Sequence, residues 1–119
     1  MTVTEERSLA ELFDLLSHPR RRFVIHALQR SQRALDTTTL AKRIAAWEST
    51  ASAAGASEPA ADAVAVSLHH THLPKLAEAG LLVYDETPGR VGTADGTSAG
   101  LLLDDKLQLE RERMLAHDR

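Results

Sequence analysis

Apolar residues recur at helical spacing in five stretches of the chain and run together in a sixth. Leu9, Leu12, Phe13 and Leu16 share one face of a first helix. Phe23, Val24, Ala27 and Leu28 form the stripe of a second helix, running to about Gln29–Ser31. In a third, Leu40, Ala41, Ile44 and Ala45 point inward and Lys42 and Arg43 outward, with Trp47 closing it. A fourth amphipathic helix follows at about 62–79. Its spacing puts Leu73, Leu76 and Ala77 on one face, with Val66 and His69 earlier on the same side, and Ser67, Thr71, Lys75 and Glu78 opposite. Leu81-Leu82-Val83-Tyr84 then reads as a strand. From Leu101 to about Ala116 a charged helix carries Leu103, Leu107 and Met114 on one side, with Leu102 and Leu109 beside them.

Start and stop signals agree with this division. Ser8-Leu9-Ala10-Glu11 is a capping box. Pro19 suits the first position of the second helix, with Ser17 or His18 as its cap. Leu35 reads as a short strand, and Asp36 or Thr37 caps the third helix. Residues 49–61 are small and loop-like, so the segment is either an insertion or partly helical. Ser57 is the cap expected there, with Pro59 in the next first turn. Pro74 lacks the N–H that would bond the His70 carbonyl, which predicts a bend or split near Thr71–Leu73. Gly80 stops the helix, Pro88-Gly89 is a turn, and Arg90-Val91-Gly92 starts a return strand, making a hairpin. Residues 93–100 read as a link.

The string HLPKLAEAGLL resembles the end of the recognition helix in winged helix-turn-helix proteins. LFDLLSHPRRRFVIHALQR resembles the opening of ArsR-type winged-helix regulators. The long 49–61 connection departs from the compact ArsR pattern. It is closer to an uncharacterised haloarchaeal winged-helix domain family, through the Arg-Arg-Arg helix start, Ala45-Ala46-Trp47-Glu48 and the Val66–Leu76 string. The resemblance spans about residues 9–92. It implies a mainly α fold with a small β wing: a winged helix-turn-helix domain over 1–97, then a C-terminal helix over 98–119. It also implies a DNA-binding transcriptional regulator that pairs through terminal helices as a homodimer; the alternative for the C-terminal helix is that it packs back on the first helix of its own chain.

Charge sharpens this picture. The chain has 119 residues and a net charge of −3, yet residues 18–47 carry +6, from Arg20, Arg21, Arg22, Arg30, Arg33, Lys42 and Arg43 against Asp36. One basic block therefore sits in an acidic chain. Arg outnumbers Lys 11 to 3 in an Ala-rich, acidic sequence, a composition common in proteins of salt-loving archaea. Aromatics are 3%, so the core must be built from Leu, Val, Ile and Ala. There is no Cys, which excludes disulfides and a thiol nucleophile. No apolar run approaches the roughly 20 residues of a membrane span. A soluble, cytoplasmic protein is expected.

The candidate chemistry is phosphate and base contact. Arg20, Arg21, Arg22, Lys42, Arg43, Lys75 and Arg90 are the cations available to phosphates of double-stranded DNA. Salt bridging of Arg20–Arg22 to Glu11 or Asp14 is the equal alternative for those three. Ser67, His70, Thr71 and Leu68 are the candidate base-reading residues. No Arg, Asn or Gln stands on the fourth helix to grip a base edge twice, so discrimination would be weak or read through DNA shape. Asp85 and Glu86 oppose a wing contact by Arg90. His69 and His72 are three apart, but no third ligand has useful spacing, so neither metal nor cofactor is expected. There is no Gly-rich phosphate loop or nucleophile motif, and no enzyme is expected. The second reading is a winged-helix protein-interaction module without DNA binding, favoured by the near-neutral fourth helix and acidic hairpin.

Overall fold

A computed structural model describes residues 9–31, 33–52, 58–93 and 108–116. The elements are α1 (Leu9–Leu15), α2 (Pro19–Ser31), β1 (Leu35–Asp36), α3 (Thr37–Ser52), α4 (Glu58–Ser67), a π-helical turn (Leu68–His72), α5 (Leu73–Glu78), β2 (Leu82–Asp85), β3 (Arg90–Thr93) and α6 (Gln108–Leu115). The three strands form one antiparallel sheet in the order β1-β3-β2. Leu35 pairs with Val91 and Tyr84 with Val91, so Val91 is the centre of the sheet and is fully buried. The fold is mainly helical with a small β wing, a winged-helix-like arrangement.

The core is aliphatic, as so few aromatics require. Phe23, Val24, Leu40, Ile44, Leu68, Leu73 and Leu76 are all completely buried. Each such side chain contributes roughly 1.5–3 kcal/mol on removal from water. Trp47 is half-buried against Phe23, ring centroids 5.7 Å apart. The α3 stripe lies as its periodicity predicts: Leu40, Ala41, Ile44 and Ala45 are inward and Lys42 is exposed. Asp36 caps this helix, its Oδ1 accepting from the Thr38 amide at 3.4 Å. Trp47 does not close it. The helix runs on to Ser52, and α4 begins at Glu58, so much of the expected 49–61 loop is helical. The Ala residues there favour helix, and Ser49 and Thr50 turn their hydroxyls back onto the Ala46 and Trp47 carbonyls, at 2.9 and 2.6 Å. Pro59 sits in the first turn of α4, while the Ser8 and Ser57 caps lie outside the described residues.

The fourth helix differs in phase from its sequence pattern. Val66 is 57% exposed and His69 is exposed, whereas Ala61, Val64, Leu68 and His72 are buried. The π turn is the reason. The Leu73 amide bonds the Leu68 carbonyl, one residue further back than in an α-helix. One residue is thereby inserted into the helical count, and every position upstream rotates by one. Pro74 stands directly after this turn and donates no bond to His70, so the disruption falls where its missing N–H predicts. The helix then ends in a Schellman motif. Leu81 N–H bonds Leu76 O at 3.0 Å, Gly80 N–H bonds Ala77 O at 3.0 Å, and Gly80 takes φ +79°.

Helix α6 packs on α2 of its own chain, burying Met114 and Leu115. Leu101–Leu107, read as the helix start, lie outside the described residues.

Candidate nucleic-acid interface

The exposed side of the α4–α5 rod is a ridge. Val66, His69, His70, Thr71, Pro74 and Lys75 are exposed and Ser67 is half-buried. Three consecutive exposed residues, His69 to Thr71, on a helix packed along its other side follow from the widened turn. Leu68 faces the opposite way and is fully buried, so it is core and not a base-contacting residue. Val66 stands exposed on the ridge instead. Its position four before His70 is the signal for it, hidden by the extra residue of the π turn.

Helix α3, packed against α4, presents Thr38, Thr39 and Lys42 as exposed residues and Arg43 as half-buried. Lys75 lines a shallow groove with Glu11, Asp14 and Glu78. Arg90 is exposed in β3, in register with Asp36 on one side and Asp85 on the other.

The arginine run at the start of α2 is turned inward. Its three members reach three different elements. Arg20 grips Glu48 of α3 with Nε at 2.6 Å and Nη2 at 2.9 Å, and this bond raises its pKa further. Arg21, 3% exposed, donates Nε to His72 Nδ1 at 2.9 Å and Nη1 to the Leu15 carbonyl at 3.2 Å. Burial lowers its pKa. Arg22 donates Nε to both carboxylate oxygens of Glu110 in α6 at 2.9 Å, and Nη1 to Leu16 O at 2.7 Å. Arg20, Arg21 and Arg22, expected at phosphates, are thus engaged in internal bonds. The partners are not the Glu11 or Asp14 of the alternative, because each long side chain bridges to a neighbouring helix. His26, fully buried, joins the last cluster through Nε2 at 3.1 Å from Glu110.

The histidines of the π turn diverge. His72 is buried and its pKa falls to about 4, first through burial and then through the nearby Arg21, His18 and Arg20. It is neutral, and since Nδ1 accepts from Arg21 the proton sits on Nε2. His69 turns to the hairpin, where Nδ1 lies 2.6 Å from Tyr84 Oη and Nε2 lies 3.5 Å from Glu86. Burial, with Glu86 second, raises the Tyr84 pKa, so the phenol keeps its proton and donates it. The His69–His72 metal pair thus does not form, and no group of three metal-ligating side chains occurs among the described residues. No helix among them is long and apolar enough to cross a membrane.

The fold and ridge define a small winged-helix-like protein with one exposed polar helix face beside a β hairpin. The chain belongs to the family described as Domain of unknown function (DUF7344), whose sequence profile matches residues 13–92. No curated protein and no solved structure matches the chain.

Proposed function

We propose that the protein is a DNA-binding transcriptional regulator whose α4–α5 rod enters the major groove. The observation that carries this reading is the ridge: Ser67, His70 and Thr71 stand out from a helix anchored behind by Leu68, Leu73 and Leu76. A rigid helix with short polar groups on its outer face is the element that fits a groove about 12 Å wide. Ser67, His70 and Thr71 would meet base edges, and Val66 a thymine methyl. Lys42 and Arg43, on the helix packed against α4, would hold phosphates. Lys75 lines a groove with Glu11, Asp14 and Glu78, and Arg90 is in register with Asp36 and Asp85; both would add phosphate contacts. Base discrimination is modest and leans on DNA shape. In this reading the protein works in the cytoplasm as a homodimer, with Phe13, 60% exposed on α1, as apolar surface for a second copy to cover.

The test is binding of the purified protein to fragmented DNA from its source organism, titrated with KCl and followed by sequencing of the bound fraction. A few enriched sites, especially inverted repeats, support a dimeric regulator. Lys42→Glu with Arg43→Glu should weaken binding to all sequences and reduce the salt slope by about 0.9 per lost phosphate contact. Absence of retention at every salt concentration rejects the reading.

A protein-interaction module is the second reading. It is favoured by the acidic hairpin, where Asp85 and Glu86 are both exposed, and by the internal use of Arg20, Arg21 and Arg22.

A further inference from the structure

We infer that His69 is a positioning residue that fixes the wing against the ridge, so that hairpin and helix meet the duplex as one surface; the inference rests on the DNA-binding reading. Beyond the packing of buried Leu82 and Val91 into the core, polar contacts of two kinds tie the hairpin to the helices among the described residues. One is backbone: the Thr37 amide at the start of α3 bonds the Gly89 carbonyl at 3.0 Å, beside the β1–β3 pairing. The other is His69. Its ring spans two parts of the hairpin, Tyr84 in β2 at 2.6 Å and Glu86 in the turn at 3.5 Å. Both contacts suit one tautomer of the neutral imidazole. Nδ1 accepts the Tyr84 proton, and Nε2–H faces the Glu86 carboxylate. The same ring stands edge-on to His70, centroids 4.8 Å apart, so the clamp reaches the ridge itself. The π turn makes this possible by presenting His69 and His70 together on the outer side.

The clamp is a poor candidate for a fold-stabilising device. The His69 and Glu86 side chains are 45% and 67% exposed, and exposed pairs of this kind contribute little to stability. Its consequence is geometric. Arg90 is the hairpin's cation, and its distance from the ridge is set by how the hairpin is held.

Tyr84→Phe removes the hydroxyl and leaves the ring. The expected result is an unchanged melting temperature, DNA affinity reduced about three- to tenfold, and a salt slope reduced by about 0.9, the signature of one lost phosphate contact. His69→Ala should match it. His69→Gln, whose amide oxygen still accepts from Tyr84, should recover part of the affinity. Arg90→Gln should weaken the wild-type protein but add nothing to Tyr84→Phe, since the contact is already gone. If the wild type binds DNA while Tyr84→Phe and His69→Ala keep its affinity and slope, the clamp is overturned and the DNA-binding reading stands. If the wild type binds no DNA at any salt, both fall together.

Discussion

Arg21 Nε donates to His72 Nδ1 across 2.9 Å, tying the first turn of α2 to the π turn of the rod 51 positions later. A buried guanidinium is bonded here to a neutral ring, with no carboxylate in the bond. The pair holds only while His72 has no proton on Nδ1. With a folded pKa of about 4 against 6.5 in the unfolded chain, the unfolded state takes the proton first. The contribution is full above about pH 6.5 and is lost as pH falls toward 4, at no more than about 1.4 kcal/mol per pH unit. His72→Gln accepts the same bond and does not titrate. Urea midpoints at pH 7.5, 6 and 5 should fall more steeply for the wild type than for this variant.

The π turn assigns opposite fates to two neighbouring apolar residues. Leu68→Ala should cost about 2–5 kcal/mol and Val66→Ala less than about 0.5 kcal/mol. Urea unfolding monitored by circular dichroism measures both. Equal costs would show that the helix phase is wrong. Leu73→Ala, buried on the far side of the turn, should resemble Leu68→Ala.

This pair also shows where the sequence was legible. The α3 stripe of Leu40, Ala41, Ile44 and Ala45 could be read directly, because an unbroken α-helix keeps its period. The hairpin was legible from Gly80 and Pro88-Gly89, whose backbone demands are local. Pro74 marked the place of a disruption but not its kind, and the one-residue insertion moved Val66 out and Leu68 in. The partners of the arginine run were not legible for a different reason. The acids that bind it, Glu48 and Glu110, lie 28 and 88 positions away, beyond any local pattern. The nearby Glu11 and Asp14 were plausible partners by sequence distance alone.

Glu110 serves Arg22 and His26 together, so its loss strands two groups. Glu110→Gln should destabilise the protein by about 1–3 kcal/mol, more than an exposed pair would. The side chains of Arg22 and Glu110 are 19% and 25% exposed, which keeps much of the interaction from solvent screening. Met114→Ala should add about 2–5 kcal/mol through a cavity under α6. Chemical denaturation gives both values. A two-state curve that instead splits, with α6 releasing first, would show that the C-terminal helix is a separate cooperative unit.

Two glycines with positive φ should respond differently to alanine. At Gly89, φ +93°, a Cβ would stand 3.0 Å from Thr37 Oγ1. At Gly80, φ +79°, nothing lies within 4 Å. Gly80→Ala should therefore cost about 1 kcal/mol, from the left-handed backbone alone. Gly89→Ala should cost about 1–2 kcal/mol more, or shift Thr37 and the turn. Melting curves of the two variants give the ranking, and a larger loss at Gly80 would contradict it.

The bond between Arg22 and Glu110 sets a schedule for synthesis. Arg22 and His26 leave the ribosome 88 and 84 residues before the carboxylate they share. Until Glu110 emerges, Arg22 and His26 lack that carboxylate and the floor beneath Met114 and Leu115 is open to water. A stop codon ahead of Glu110 would make that state permanent.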